Sequence, residues 1–192
     1  MLIRWATETD LFAWYSLATE VSEIFQHPTD MGKELESQNR GLGSVSRYEM
    51  LTAMDYMSGN NMGFICFSRT ENSVTWFAVS EKYRGKGAGD HLLKTALRQL
   101  DTNKDITVNT FPADYPQGTA ARALYKKYGF TEEKPIEHDG YPRCEMKCPA
   151  STEKRGGSFH YRYPDFIKAA QKENCPAAAL HKQRHYGQYF PG

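Results

Sequence analysis

A glycine-rich stretch with two basic residues is the first part of this sequence whose composition suggests chemistry. Residues 80–89 read Ser-Glu-Lys-Tyr-Arg-Gly-Lys-Gly-Ala-Gly, between an apolar run and a leucine-rich run of helical spacing. Three glycines within five residues allow a ligand to approach the backbone closely, and the N–H groups at a helix N-terminus bind phosphate. Arg84 and Lys86 add charged donors. The stretch indicates a phosphate-binding loop, and a tight turn that caps a helix is the simpler alternative.

The spacing of these glycines excludes two common phosphate loops. Gly85, Gly87 and Gly89 match neither the G-x-G-x-x-G pattern of dinucleotide-binding proteins nor the G-x-x-x-x-G-K-[ST] pattern of P-loop enzymes. A second group of residues follows further along the chain, on a run of helical spacing that ends at a glycine. This group comprises Ala121, Leu124, Tyr125, Gly129 and Phe130.

The two groups of residues together resemble the motifs of one family. Arg84-x-x-Gly87-x-Gly89 is similar to the [Q/R]-x-x-G-x-[G/A] pyrophosphate loop of the GNAT superfamily of acyl-CoA N-acyltransferases. Residues 121–130 resemble the second signature of that family, Ala-x-x-Leu-Tyr-x-x-x-Gly-Phe. The resemblance covers roughly residues 1–148. It implies an α/β fold with a mixed sheet, in which the strands at 74–79 and 106–111 splay apart.

The resemblance also implies a co-substrate and a reaction. Acetyl-CoA would lie in the wedge between the two strands, and its acetyl group would pass directly to a primary amine. The pantetheine arm would pair with the backbone near Phe77, Ala78 and Val79. The pyrophosphate would be held by Arg84, Gly85, Lys86, Gly87, Ala88 and Gly89. Tyr125 matches the family tyrosine that protonates the leaving thiolate, and a phenol with a pKa of about 10 stays protonated at neutral pH.

The sequence departs from the family pattern at two places. Gly118 occupies a position where the family often has an asparagine that contacts CoA, and residues 74–79 contain no Glu, Asp or His. An alkylamine with a pKa of about 10.4 must lose a proton before it attacks, so a route for that proton is needed. Glu81 and Asp139 are candidate general bases, and a water chain is the alternative. The resemblance places the acceptor pocket near Trp14, Phe25, Tyr48, Tyr141 and Arg143.

The spacing of apolar residues predicts the elements that position these motifs. The predicted strands are 3–5, 49–56, 63–67, 74–79, 106–111, 130–137 and 143–147, and the predicted helices are 10–21, 29–40, 87–100 and 119–128. Residues 41–44 are predicted to form a loop. The first hairpin-spaced strands favour an antiparallel meander. A strand, helix and strand in succession predict parallel pairing of 74–79 with 106–111.

Composition narrows the class of protein. The 192 residues carry 24 Lys and Arg against 23 Asp and Glu, a balance that argues against a surface built wholly for nucleic acid. Mean hydropathy is −0.68, and no apolar run approaches the length of a membrane span. The N-terminus lacks the pattern of a secretory signal, and four cysteines are too few for a disulfide scaffold. We therefore expect a cytoplasmic protein that does not enter a membrane.

Residues 151–192 differ from the rest of the chain. They carry seven basic and three acidic residues together with seven aromatic ones, whereas residues 1–150 carry 17 basic and 20 acidic. We expect a GNAT domain at 1–150 and a C-terminal extension at 151–192 that packs on the core or on a dimer partner. Cys175, His181 and His185 have the spacing of metal ligands but lack a clear fourth, so no metal is expected.

Three functions follow from these features. The first is an acetyl-CoA-dependent N-acetyltransferase that acts on a small molecule, peptide or protein. The second is a module of the same fold that binds acyl-CoA without turnover, which Gly118 and the strand without an acidic residue would favour. The third is association of the basic, aromatic extension with nucleic acid, but a net charge of +4 over 42 residues is modest, so nucleic acid is not expected as the main partner.

Overall fold

A mixed sheet of seven strands forms the centre of the part of the chain that the structure describes. The computed structural model describes residues 1–27, 29–138 and 140–150. The strand order across the sheet is β1-β2-β3-β4-β5-β7-β6. The strands are β1 (Leu2–Trp5), β2 (Met50–Met54), β3 (Asn61–Ser68), β4 (Ser73–Val79), β5 (Ile106–Thr110), β6 (Glu132–His138) and β7 (Tyr141–Cys148). The predicted α/β class is therefore confirmed, as are all seven predicted strands.

Five helices cover the two faces of this sheet in the described part of the chain. They are α1 (Leu11–Val21), α2 (Met31–Ser37), α3 (Leu42–Ser46), α4 (Ala88–Leu97) and α5 (Thr119–Lys127). The four predicted helices are present. The predicted loop at 41–44 is wrong, because Gly41, with φ +95°, starts α3 at a point where any side chain would strike Trp14. Val45 on α3 then packs against the core that α1 forms.

The apolar residues divide into a core on each side of the sheet. Helices α4 and α5 pack on one face, where the buried residues include Ile65, Phe67, Leu92, Leu93, Tyr125 and Phe130. Helices α1 and α2 pack on the other face, where they include Trp14, Leu17, Val21, Phe64 and Cys66. Successive β3 residues point to opposite faces, so this one strand supplies side chains to both cores.

The centre of the sheet opens where β4 leaves β5. The two strands pair in parallel at Ser73 with Thr107 and at Val74 with Val108. Against β3, Val74 lies opposite Phe67 and Trp76 opposite Cys66, so Thr75 is an extra residue. Such a bulge bends its strand and increases the local twist. The bulge thus coincides with the end of the β4–β5 pairing, and the predicted parallel pairing and splay are both confirmed.

Several expectations fall beyond the described ranges. The extension at 151–192, including Cys175, His181 and His185, lies outside the described residues, as does Asp139. Among the described residues, no helix has the length and apolar character needed to cross a membrane. Within the same ranges, no cluster of three His, Cys, Asp or Glu side chains is arranged as a metal site. Cys66 and Cys144 are buried thiols.

Candidate active site

The splay between β4 and β5 contains a small cavity of about 70 Å³. Its walls come from both cores, because Phe77, Ala121 and Tyr125 belong to the face of α4 and α5, whereas Phe25 and Trp76 belong to the face of α1. The cavity therefore lies at the gap through the sheet. Two ligands that approach from opposite faces could meet there.

Tyr125 projects into this cavity from α5. The side chain is only 4% exposed, and its ring lies 6.3 Å from that of Phe77 and 5.6 Å from that of Phe130. Burial raises the pKa of the Tyr125 hydroxyl above the ordinary value of a phenol. The group is thus a protonated donor at neutral pH. Helix α5 ends two residues later at Lys127, and Gly129, the glycine predicted to stop it, adopts φ +91° directly after the C-cap residue Tyr128.

The glycine-rich loop joins the end of β4 to the start of α4. A 3-10 turn at Glu81–Tyr83 precedes it, and Gly87, with φ +83° in the left-handed region, is the N-cap residue of α4. Gly85 has φ +72°, and a side chain placed there would meet no atom within 4 Å. The backbone of the loop is therefore open to an approaching group.

Basic side chains surround this loop. The Nζ atoms of Lys82 and Lys86 lie 4.9 and 5.2 Å from the centre of the Tyr83 ring, and Arg84 donates from Nε to the carbonyl of Val79 at 3.3 Å. Positive charge and the N-terminus of a ten-residue helix both favour an anion at this position. The loop therefore has the chemistry of a pyrophosphate site, and β4 leads from it to the cavity.

Two contacts connect α5 to the first turn of α4. Lys127 forms an ion pair with Asp90, and the hydroxyl of Tyr128 donates to the carbonyl of Asp90 at 3.3 Å. Asp90 directly follows the glycine-rich loop. The helix that carries Tyr125 is thus tied to the helix that starts at the loop.

The structure does not bring Glu81 into the cavity with Tyr125. Glu81 lines a separate, open groove of about 650 Å³ beside α1, which Phe12, Leu17 and Lys82 also line. Its backbone N–H donates to Oε1 of Glu20 at 2.7 Å. The base role of Glu81 stays a prediction, and any proton that reaches Glu81 has to cross from one opening to the other.

Aromatic residues wall the part of the cavity that faces α1. Phe25 and Arg143, both named from the sequence, lie there with Trp76 and Phe111, whose role the sequence did not indicate. Trp14 lies behind Trp76, with ring centres 5.5 Å apart. Tyr48 instead packs against Trp5. The sequence did not indicate that Trp76 and Phe111 line a cavity, because the strand patterns that contain them predict core positions. Only the bulge in β4 and the splay of β4 from β5 turn these two side chains toward an opening.

The departure at Gly118 has a steric cause. A Cβ atom at Gly118 would lie 2.5 Å from the Cβ of Phe111, far closer than two carbons can approach. The guanidinium of Arg122 also donates to the carbonyl of Phe111 at 3.1 Å. Phe111 therefore occupies the space that an asparagine side chain at position 118 would need.

Several solved structures share this fold. An N-acetyltransferase from Staphylococcus aureus Mu50 is 19% identical and has a TM-score of 0.60, with 77% of this chain and 100% of that chain covered. A ribosomal-protein-alanine N-acetyltransferase from Brucella melitensis is 22% identical with a TM-score of 0.60, over 78% and 99% of the two chains. The PaiA N-acetyltransferase from Thermoplasma acidophilum, solved in complex with coenzyme A, is 18% identical with a TM-score of 0.57, over 77% and 98%.

The sequence itself matches a family model. Residues 47–132 match the acetyltransferase (GNAT) domain, a span that contains the bulged strand, the glycine-rich loop and Tyr125. This match identifies residues 47–132 as a GNAT-type domain, and the solved structures share its fold. No curated protein sequence matches it significantly. The matched domain is that of an acyltransferase.

Proposed function

We propose that this protein is an acetyl-CoA-dependent N-acetyltransferase that transfers the acetyl group directly to a primary amine. The observation that carries the proposal is the cavity at the β4–β5 splay, which has a buried tyrosine in its wall and a basic glycine-rich loop at the end of β4. The structural relative from Thermoplasma acidophilum holds coenzyme A, which supports the same class of donor here.

The donor would extend along β4 from the loop to the cavity. The β5 pairing ends at Val74, so the β4 edge at Phe77, Ala78 and Val79 is available to an extended pantetheine arm. The amides of residues 84–89 would hold the pyrophosphate, with charge from Lys82 and Lys86. The thioester would then lie in the cavity beside Tyr125.

The transfer proceeds by addition and elimination. The amine nitrogen attacks the thioester carbonyl, a C–N bond forms, and the C–S bond breaks as the sulfur leaves with its electron pair. The hydroxyl of Tyr125 donates to that sulfur, while the proton of the amine passes to a base. The pKa of a phenol already lies above that of a thiol, and burial raises the pKa of Tyr125 further, so its main contribution is a hydrogen bond to the developing negative charge.

The sequence predicts Glu81 as the base, and the groove that Glu81 lines requires water to relay the proton. Both the Glu81 carboxylate and a water chain therefore remain parts of the proposal. We also retain the cytoplasm as the predicted location and a homodimer as a predicted assembly.

The test is turnover by the purified protein. We expect thiol release from acetyl-CoA in the presence of a panel of primary amines, and acetylated amine detected by mass spectrometry. Calorimetry with acetyl-CoA is run in parallel. Tight acetyl-CoA binding without thiol release for any amine would favour the alternative, a module that binds acyl-CoA without turnover. Failure to bind acetyl-CoA would contradict both.

A further inference from the structure

We propose that Phe25 determines which acceptors this protein accepts, and that the acceptor is an amine carrying a planar, apolar group. This inference rests on the proposed N-acetyltransferase function and specifies its second substrate. The planar group would lie against Trp76 and Phe111, where the ring of Phe25 now limits the space.

Phe25 belongs to a short segment, residues 22–27, that follows α1 and that we name the strap. Three hydrogen bonds from β7 and from the β5–α5 connection hold the strap in place. Arg143 on β7 donates to the carbonyl of Phe25 at 2.7 Å and to Oε1 of Gln26 at 2.9 Å. Tyr115, between β5 and α5, donates to the carbonyl of Ile24 at 3.2 Å. The strap is thus fixed to elements beyond the splay, although it starts from α1.

The ring of Phe25 closes an aromatic wall. It stacks on Trp76 with ring centres 6.2 Å apart and an angle of 13°, and it meets the ring of Phe111 edge-on at 5.5 Å. Phe111 in turn stacks on Tyr115 at 5.0 Å, and the guanidinium of Arg143 lies 5.3 Å from the centre of the Phe111 ring. A wall built from aromatic rings in this way favours a flat, apolar ligand on its cavity side.

The position of the Phe25 ring controls how much space the cavity offers to an acceptor. Phe25 forms part of the wall of the cavity of about 70 Å³ on the side that faces α1. The space for an acceptor therefore depends on the position of the Phe25 ring. Removing that ring should enlarge the site on the side of α1 and leave the donor side, with Phe77 and Tyr125, unchanged.

The experiment compares three amines with the same reactive end. Phenethylamine, 2-(1-naphthyl)ethylamine and n-butylamine are tested as acceptors for the full-length protein and for Phe25→Ala. We expect the unmodified protein to prefer phenethylamine over n-butylamine at least about tenfold in kcat/KM. In Phe25→Ala, the ratio of kcat/KM for the naphthyl amine over phenethylamine should rise at least about tenfold.

Matched variants separate this role from a loss of folding. Tyr56→Ala is also an aromatic-to-alanine change, but Tyr56 is 81% exposed on the β2–β3 turn. The ratio of kcat/KM for the naphthyl amine over phenethylamine should therefore not change in this variant. Phe25→Leu keeps an apolar side chain without a flat face, and it should lower kcat/KM for phenethylamine more than for n-butylamine. Arg143→Lys loses the pair of hydrogen bonds that two guanidinium nitrogens donate to the strap. It should therefore raise the ratio of kcat/KM for the naphthyl amine over phenethylamine, as Phe25→Ala does.

Two results would overturn the inference. One is equal kcat/KM for phenethylamine and n-butylamine in the unmodified protein. The other is a Phe25→Ala variant that folds but leaves the naphthyl-to-phenyl ratio unchanged. If no amine is turned over, the proposed function fails, and calorimetric binding of the two aryl amines to the protein and to Phe25→Ala then decides the inference. An unchanged ratio of the two dissociation constants would contradict it.

Discussion

Tyr125 combines two properties that rarely coincide in one hydroxyl group, namely deep burial and contact with an open cavity. The rings of Phe77 and Phe130 pack against the ring of Tyr125, and burial raises the pKa of its hydroxyl. A phenol in this setting stays protonated across the physiological range and is positioned to donate to a leaving sulfur. The proposed acid role of Tyr125 therefore depends on its hydroxyl, whereas its ring packs in the core.

We expect Tyr125→Phe to lower kcat by roughly 10²-fold with little change in affinity for acetyl-CoA, because it removes the donor and keeps the ring. Steady-state kinetics and calorimetry measure the two quantities. Tyr128→Phe is the matched control, since that hydroxyl bonds to the backbone of Asp90 outside the cavity. A comparable loss in the control, or none in Tyr125→Phe, would contradict the assignment.

Gly87 is the loop residue where backbone conformation and ligand approach coincide. At φ +83° a branched side chain is strained, and it would also project where phosphate must approach. We expect Gly87→Val to weaken acetyl-CoA binding at least about tenfold, measured by calorimetry. Gly59→Val carries comparable strain at φ +70° on the β2–β3 turn, which is not among the residues proposed to hold the donor, and it should leave the affinity unchanged. Equal affinities for the two variants would refute a pyrophosphate site at this loop.

The base role predicted for Glu81 has a specific kinetic signature. If its carboxylate accepts the amine proton through water, Glu81→Gln should lower kcat/KM by roughly 10²-fold. Glu20→Gln is the control, because Glu20 contacts the backbone N–H of residue 81 without being a candidate base. An unchanged kcat/KM in Glu81→Gln would leave Asp139 or a water chain as the route for the proton.

At the scale of elements, the bulge at Thr75 and the ties between helices shape the site. The bulge turns β4 away from β5, and the strap and α5 then line the resulting opening from opposite faces. The contacts of Asp90 with Lys127 and Tyr128 hold α5 against α4. These connections position the tyrosine, the loop and the aromatic wall relative to one another.

Another connection between elements depends on pH. Asp10, only 5% exposed, accepts two hydrogen bonds of 2.8 Å from Arg4 on β1 and one of 3.2 Å from Asn61 on β3. Burial alone would raise the pKa of Asp10, but the bonds from Arg4 and Thr7 outweigh it and lower that pKa to about 2. The carboxylate therefore stabilises the fold above its ordinary pKa of 3.8, and this contribution is lost as the pH falls toward 2.

We expect Asp10→Asn to lower the free energy of unfolding at pH 7 by about 2 kcal/mol. Urea denaturation at pH 7 and at steps between pH 4 and pH 2 measures the difference from the unmodified protein, which should shrink as the pH falls. Asp114→Asn removes an exposed carboxylate and should have little effect at any pH. A difference for Asp10→Asn that does not vary with pH would contradict the ionic origin of the contribution.

At the scale of the whole molecule, charge differs between the two predicted regions. Residues 1–150 have more acidic than basic residues, whereas 151–192 have an excess of four basic residues. Opposite net charges favour association, although charges of this size have a small effect. The aromatic residues of the extension also favour a partner surface, since so short a segment cannot bury them alone.

We therefore expect truncation after Ala150 to lower the melting temperature and either to dissociate an oligomer or to change the KM for the acceptor, with acetyl-CoA affinity unchanged. Differential scanning calorimetry, analytical ultracentrifugation and steady-state kinetics measure these effects. A truncated protein with the same melting temperature, oligomeric state and activity would show that the extension takes no part in the working structure.

The sequence determined the order of elements and the two GNAT motifs, because both depend on local properties of the chain. Apolar spacing fixes whether a segment is a strand or a helix, and the loop at 84–89 and Tyr125 lie within such segments or at their ends. The parallel pairing of β4 and β5 also followed from local order, since a strand, helix and strand in succession strongly favour it.

Only the tertiary structure decided what surrounds the motifs. The bulge at Thr75 depends on register with β3, and the wall of Phe25, Trp76 and Phe111 brings together residues that are distant in the chain. The separation of Glu81 from Tyr125 has the same origin, because a residue that follows β4 and a residue on α5 line different openings once the elements have packed. Such contacts arise from packing between elements, and the spacing of residues along the chain does not encode that packing.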